Sequence, residues 1–137
     1  MESDRERIQR TRDSLGRCIE CGTFLQRFYE LFMASSPKVA ELFQKTDFER
    51  QKQMLRDSLY EMLVAAGTSK GPAHGELERL AKRHHELGVT SDMFALWLDA
   101  LVDAAREHDI HFSDELENDW RISFTGPMEV MRSHADR

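Results

Sequence analysis

The stretch Arg83-His84-His85-Glu86-Leu87-Gly88-Val89 sets two imidazoles side by side, the first of them four residues ahead of a glycine. A neutral imidazole donates from one ring nitrogen and keeps a lone pair on the other, so it can take a proton or ligate a metal. Two further polar groups stand among apolar neighbours, Tyr29 in "FLQRFYELF" and Gln51 in "DFERQKQML". A phenol O–H and a carboxamide N–H are uncharged hydrogen-bond donors. Together the three side chains could make one polar spot in an apolar interior.

The elements that must position them are helices. Sustained period-two alternation is missing, and so are the Asn-Gly and Asp-Gly dipeptides of tight hairpins. The spacing predicts a charged helix over residues 4–17 with Ile8 and Leu15 inward, punctuated by Gly22 and Thr23. "TFLQRFYELFMAS" follows as a very apolar helix, and Ser36-Pro37 offers a cap and a first-turn proline to the short segment "PKVAELF". Thr46 and Glu49 have the spacing of a capping box and should open a helix that runs to about Ala66. "GTSKGPAHG" reads as a loop, and residues 76–86 as a short helix stopped by Gly88. Thr90, Ser91 and Asp92 offer caps for a long helix to about His108. Ser113 caps the last helix, which Pro127 should kink or interrupt. The expectation is an all-α chain of about seven helices, with residues 1–137 as a single domain.

Helical geometry then separates inward from outward positions. Phe48, Gln51, Leu55, Leu59 and Met62 fall within an arc of about 80°, so Gln51 is the polar exception in an apolar stripe. His84 shares a face with Leu77, Leu80 and Ala81, while His85 is turned about 100° away toward the polar flank. His84 should therefore point inward and His85 toward solvent. The second helix is apolar over an arc of about 160°, with Tyr29 at one edge. His74, His108, His111 and His134 lie in loops or at helix ends and read as solvated surface.

Bulk properties narrow the function classes. The 137 residues carry a net charge of -6, with 32% charged and 40% hydrophobic residues. That balance fits a folded soluble domain and argues against a nucleic-acid-binding surface. No apolar run is long enough for a membrane span, and the N-terminal "MESDRERIQR" is too charged for a signal peptide, so a cytoplasmic location is expected. Cys18 and Cys21 form C-x-x-C, but no histidine follows in "CIECG" and no βαβ pattern surrounds it. The pair reads as two small apolar residues near a helix start.

Taken in order, "FYELFMASSPKVAELF", "TDFERQKQML" and "RHHELGVTSDMFALWLDALVDA" resemble the bacterial single-domain globins, which are similar to the globin domain of flavohaemoglobins. The resemblance covers residues 15–130 and implies a globin fold around haem b. It implies His84 as the proximal iron ligand, Phe43 packed on the haem face, and Tyr29 with Gln51 as the distal polar pair. Leu55 would form an apolar wall over the iron, Phe48 would help to exclude water, and Val89 and Phe94 would complete the cofactor contacts. Reversible binding of oxygen is the implied function, with nitric oxide and carbon monoxide as rival ligands.

Two departures bear on activity. Where flavohaemoglobins support the proximal histidine with a tyrosine and a glutamate, this chain has Phe94 and the tail "SHADR". No reductase segment follows, so nitric-oxide dioxygenation or peroxidase-like chemistry would need a separate reductase. A haem-free globin-fold interaction or sensor module is the remaining alternative. As to partners, neither nucleic acid nor membrane is expected, and the chain would be a monomer or homodimer.

Overall fold

The computed structural model describes residues 3–67 and 72–135. Among them are seven helices: α1 (Asp4–Glu20), α2 (Phe24–Ser35), α3 (Pro37–Leu42), α4 (Phe48–Ala66), α5 (Pro72–Glu86), α6 (Ser91–His108) and α7 (Asp114–Ala135). None of them is long and apolar enough to cross a membrane. Helix α2 packs against α6, α5 against α7, and α7 also lies on α1, α6 and α4.

The apolar stripes meet as their spacing requires. Leu15, Phe24, Phe28, Leu59, Leu101, Trp120 and Phe124 are all buried in one core. Burying such side chains contributes about 1.5–3 kcal/mol each, and this drives the helices together.

Local chemistry corrects several boundaries. Helix α4 is capped by Asp47, whose carboxylate accepts from the Arg50 N–H at 3.4 Å. The expected Thr46–Glu49 box is not formed, and Glu49 pairs instead with Lys52 at 2.9 Å. A carboxylate one residue later both caps the helix and meets the positive end of its dipole. Helix α5 starts at Pro72, four residues ahead of the expected start at residue 76, because proline suits a first helical turn where no N–H partner is needed. Residues 68–71 of the expected loop lie outside the described residues.

Helix α7 is not interrupted by Pro127 and continues to Ala135. The "SHADR" segment is therefore helical as far as Ala135. Proline removes a single helix hydrogen bond, and packing along the rest of this 22-residue helix outweighs that loss. Helix α1 runs to Glu20, which puts Cys18 and Cys21 at a helix end rather than a start. Cys18 is fully buried, Cys21 is exposed, and both are free thiols. Burial, aided by nearby Asp109, pushes the Cys18 thiol up to about 12, where it is inert.

Candidate functional site

A cavity lies between α2, α4, α5 and α6, with an empty volume of ≈ 810 Å³ when its mouth is included. The cavity proper is ≈ 130 Å³, smaller than most cofactor sites, so a macrocycle would enter only as side chains of the wall move aside. His84 enters it from α5, Tyr29 from α2, Gln51 and Leu55 from α4, and Phe94 from α6. Phe43 and Val89 also line it. Seven of the eight positions expected to contact a cofactor are thus brought together. Phe48 stands one layer behind, its ring 5.5 Å from Tyr29 and 6.1 Å from Phe43, and it does not reach the cavity wall.

The question of the paired histidines has a geometric answer. His85 is exposed, whereas His84 is half-buried and lines the cavity. The Nδ1–H of His84 donates to the Leu80 carbonyl at 2.7 Å. A carbonyl can only accept, so this bond fixes the tautomer and leaves the lone pair on Nε2. Burial lowers the pKa of the imidazole and outweighs the opposite pull of the Leu80 bond, which keeps the ring neutral. Among the described residues Nε2 has no hydrogen-bond partner. A neutral ring with one nitrogen tied to the backbone and the other free is prepared to ligate a metal.

Gly88 determines where that helix ends. Its φ of +87 lies in the left-handed region that side chains disfavour. The Gly88 N–H bonds the His85 carbonyl and the Val89 N–H bonds the His84 carbonyl, each at 3.1 Å. This is the paired-bond pattern that closes a helix around a left-handed residue. One turn therefore ties His84 and Val89 together, and both face the cavity.

The polar group from α2 is held by aromatic neighbours. Tyr29 is 4% exposed, with the rings of Phe28, Phe43 and Phe48 at 4.9, 5.4 and 5.5 Å. Its O–H donates to the Gln51 main-chain oxygen at 3.4 Å, a long bond that a better acceptor could replace. Burial pushes the phenol up to about 12 against an opposing pull from Gln51, so the O–H stays protonated and remains a donor.

The rest of the wall is more sulfur-rich than the sequence made evident. Met54, Met62, Met93, Met128 and Met131, five of the seven methionines, line the cavity together with Trp97. Unbranched thioethers adapt to irregular shapes, so this wall can adjust to an occupant. The signal was available in the three-residue step from Met128 to Met131, which sets both on one face of α7.

Three of the four histidines expected to be solvated are engaged. His74 meets the Ala65 carbonyl at 2.9 Å and His134 meets Glu78 at 2.6 Å. His108 meets Thr23 at 2.9 Å and the Ala104 carbonyl at 2.7 Å. His111 is exposed, as expected. The four share a polar or terminal setting in sequence, and only tertiary packing reveals the partners.

An all-helical bundle holding an aromatic-rich cavity with an inward histidine defines a globin-like protein. No family profile and no curated protein sequence matches the chain. Among solved structures it is similar to the protein PA3967 of Pseudomonas aeruginosa PAO1, whose crystal structure is described as structurally highly homologous to a human hemoglobin. The two are 31% identical with a TM-score of 0.88, over 94% of this chain and 98% of that one. The chain belongs to that globin-like family.

Proposed function

We propose that the protein is a haem b-binding globin whose pocket reversibly holds a diatomic gas, oxygen first, with nitric oxide and carbon monoxide as competitors. The observation that carries the reading is the His84 tautomer, with Nδ1–H on Leu80 and Nε2 unpartnered. The donor set fits the group. Among the described residues no cluster of His, Cys, Asp and Glu could hold a bare ion, whereas a single imidazole suits a metal whose remaining ligands come from a macrocycle. The apolar cavity wall suits the faces of a porphyrin. When bound, haem iron supplies the coordination position at which a gas molecule is held.

Each chain residue then has a definite part. His84 would hold the iron through Nε2, while the Leu80 carbonyl keeps its ring oriented. Phe43, Leu55, Val89 and Phe94 would pack on the macrocycle and exclude water. Tyr29 would leave the Gln51 main-chain oxygen and donate to the ligand, and the Gln51 carboxamide would add a second donor. Each such bond contributes about 1 kcal/mol, more where the acceptor gains negative charge.

A carrier role is favoured over self-sufficient oxidation by the partner of His84. Its Nδ1–H meets a neutral carbonyl rather than a carboxylate, and its ring neighbour is Phe94, with centroids 6.3 Å apart. Neither raises the basicity of the ligating nitrogen as a carboxylate would. The test is an absorption spectrum of oxidised, reduced and CO-treated protein. An intense Soret band that shifts with CO supports the reading, and a chain that stays colourless with added haemin overturns it.

A further inference from the structure

We propose that the cavity has a second opening, between α4 and α5, through which small uncharged ligands reach the region beside His84. The proposal rests on the reading of the cavity as a gas-ligand site. A groove of ≈ 730 Å³, open solvent included, runs between these two helices on the outer face. Ser58, Met62 and Leu80 line this groove and also line the cavity. Where the same side chain faces two hollows, the partition between them is a single side chain thick.

That partition is weak where it matters. Ser58 is small and half-buried, and its hydroxyl has no hydrogen-bond partner among the described residues. Met62 is unbranched and turns about three side-chain bonds, so it can swing aside without backbone movement. Leu80 precedes His84 by one helical turn, and its own carbonyl holds the His84 ring. A ligand passing the partition therefore arrives between Leu80, one turn from His84, and Leu55, one turn from Ser58 on α4, in the same cavity that Tyr29 and Gln51 face.

The two openings differ in charge. The first mouth carries the exposed apolar residues Leu42 and Met54. The groove is rimmed by the carboxylates of Asp57, Glu61 and Glu76. Glu76 pairs with Arg79 and Asp57 with Arg56, which leaves Glu61 as the carboxylate of this rim without an ion pair among the described residues. A rim with net negative charge repels small anions and is indifferent to neutral gases. The groove is thus a passage for uncharged ligands, and the apolar mouth admits both kinds.

Ser58→Phe should plug the partition. In haem-loaded protein, CO association after flash photolysis should slow about twofold or more, while azide association to the oxidised form stays at the wild-type rate. Unchanged CO association overturns the proposal. Equal slowing of CO and azide also overturns it, because the cavity itself would then have been reshaped. A readout without haem separates this proposal from the functional reading. In haem-free protein, the part of the fluorescence that Trp97→Phe removes should be less quenched by dissolved oxygen in Ser58→Phe than in wild type. Unaltered quenching overturns the passage whether or not the chain takes up haem. Should Ser58→Phe fail to fold, Ser58→Leu carries the same measurements.

Discussion

Where α1 packs against α6 and α7, Asp109 accepts from Ser14 at 2.6 Å, from Arg17 at 2.7 and 2.9 Å, and from the His111 N–H at 3.0 Å. Ser14 in turn accepts from the fully buried Trp120 at 3.0 Å. Beside them Ser123 donates to Thr11, whose own hydroxyl donates to the Arg7 carbonyl, and Arg10 clamps Asp119 with bonds of 2.8 and 3.0 Å. In the cavity between α2, α4, α5 and α6, by contrast, His84 Nε2 and the Ser58 hydroxyl have no partner among the described residues, and Tyr29 makes one long bond. Buried polar groups are costly unless paired, so a region that pairs nearly all of them, with Arg7 Nε left only an ion contact of 4.0 Å to Asp119, is built for stability. A region that leaves several unpaired in one hollow is prepared to receive something that pairs them.

The largest expected effect breaks the receiving half. His84→Ala removes the nitrogen proposed to hold iron, and haemin titration should then give no stable Soret band, with haem lost within a single gel-filtration run. The fold should survive, because His84 is half-buried and its ring makes one hydrogen bond, to its own helix. Far-ultraviolet circular dichroism close to wild type, together with lost haem, is the predicted outcome. A variant that retains haem with an unaltered spectrum would show that another residue ligates the iron.

Asp109→Ala attacks the other half and should do the opposite, lowering stability while sparing haem affinity. Removing a buried carboxylate strands Ser14 and the Arg17 guanidinium, at a cost of about 2–3 kcal/mol. For a chain of this size that is a fall of about 10 °C in Tm. The pH dependence has a definite sign. Burial alone would raise the Asp109 pKa from 3.8, but Arg17, Ser14 and the His111 N–H outweigh it and bring it to about 2. Its stabilisation is therefore fully present above the ordinary carboxylate range and is lost as pH falls toward about 2. Urea midpoints of wild type and Asp109→Ala should converge over that interval and stay apart at pH 7.

These two regions were unequally legible in the sequence. The inward turn of His84 followed from its phase with Leu77, Leu80 and Ala81, since helix geometry is a local property. Tyr29 and Gln51 could be placed on inner faces for the same reason. What spacing could not supply was the acceptor of each donor. That Tyr29 meets the main chain of Gln51, rather than its side chain, depends on how α2 crosses α4. The Asp109 cluster was missed entirely, because Asp109 lies 95 residues from Ser14 and 92 from Arg17, and no local pattern marks a buried ion pair. Phe48 fell on the correct stripe, yet Tyr29 and Phe43 stand in front of it, and only packing decides which aromatic ring is innermost.

A smaller effect sharpens the account of the cavity. Tyr29→Phe removes a donor whose single protein bond is long, so stability should change by no more than about 1 kcal/mol. The oxygen dissociation rate of haem-loaded protein should rise about tenfold, and Gln51→Leu should raise it less. An unchanged rate in Tyr29→Phe would mean that the phenol stays on the Gln51 carbonyl and never serves a ligand.

The finest comparison sets two glycines against each other, one in each region. Gly22 follows the C-terminal cap of α1 and Gly88 follows α5, with φ of +80 and +87. A Cβ at either would meet no atom within 4 Å, so substitution carries conformational strain and no clash. Gly22→Ala and Gly88→Ala should each lower stability by about 1 kcal/mol, nearly equally. They should differ in haem retention. The turn at Gly88 holds the carbonyl of His84 through the Val89 N–H and sets Val89 on the cavity wall, so strain there reaches the proposed iron ligand directly. Haem transfer to an acceptor apoprotein should be faster in Gly88→Ala and unchanged in Gly22→Ala. Equal transfer rates in the two variants would mean that the α5 turn ends the helix without helping to position its histidine.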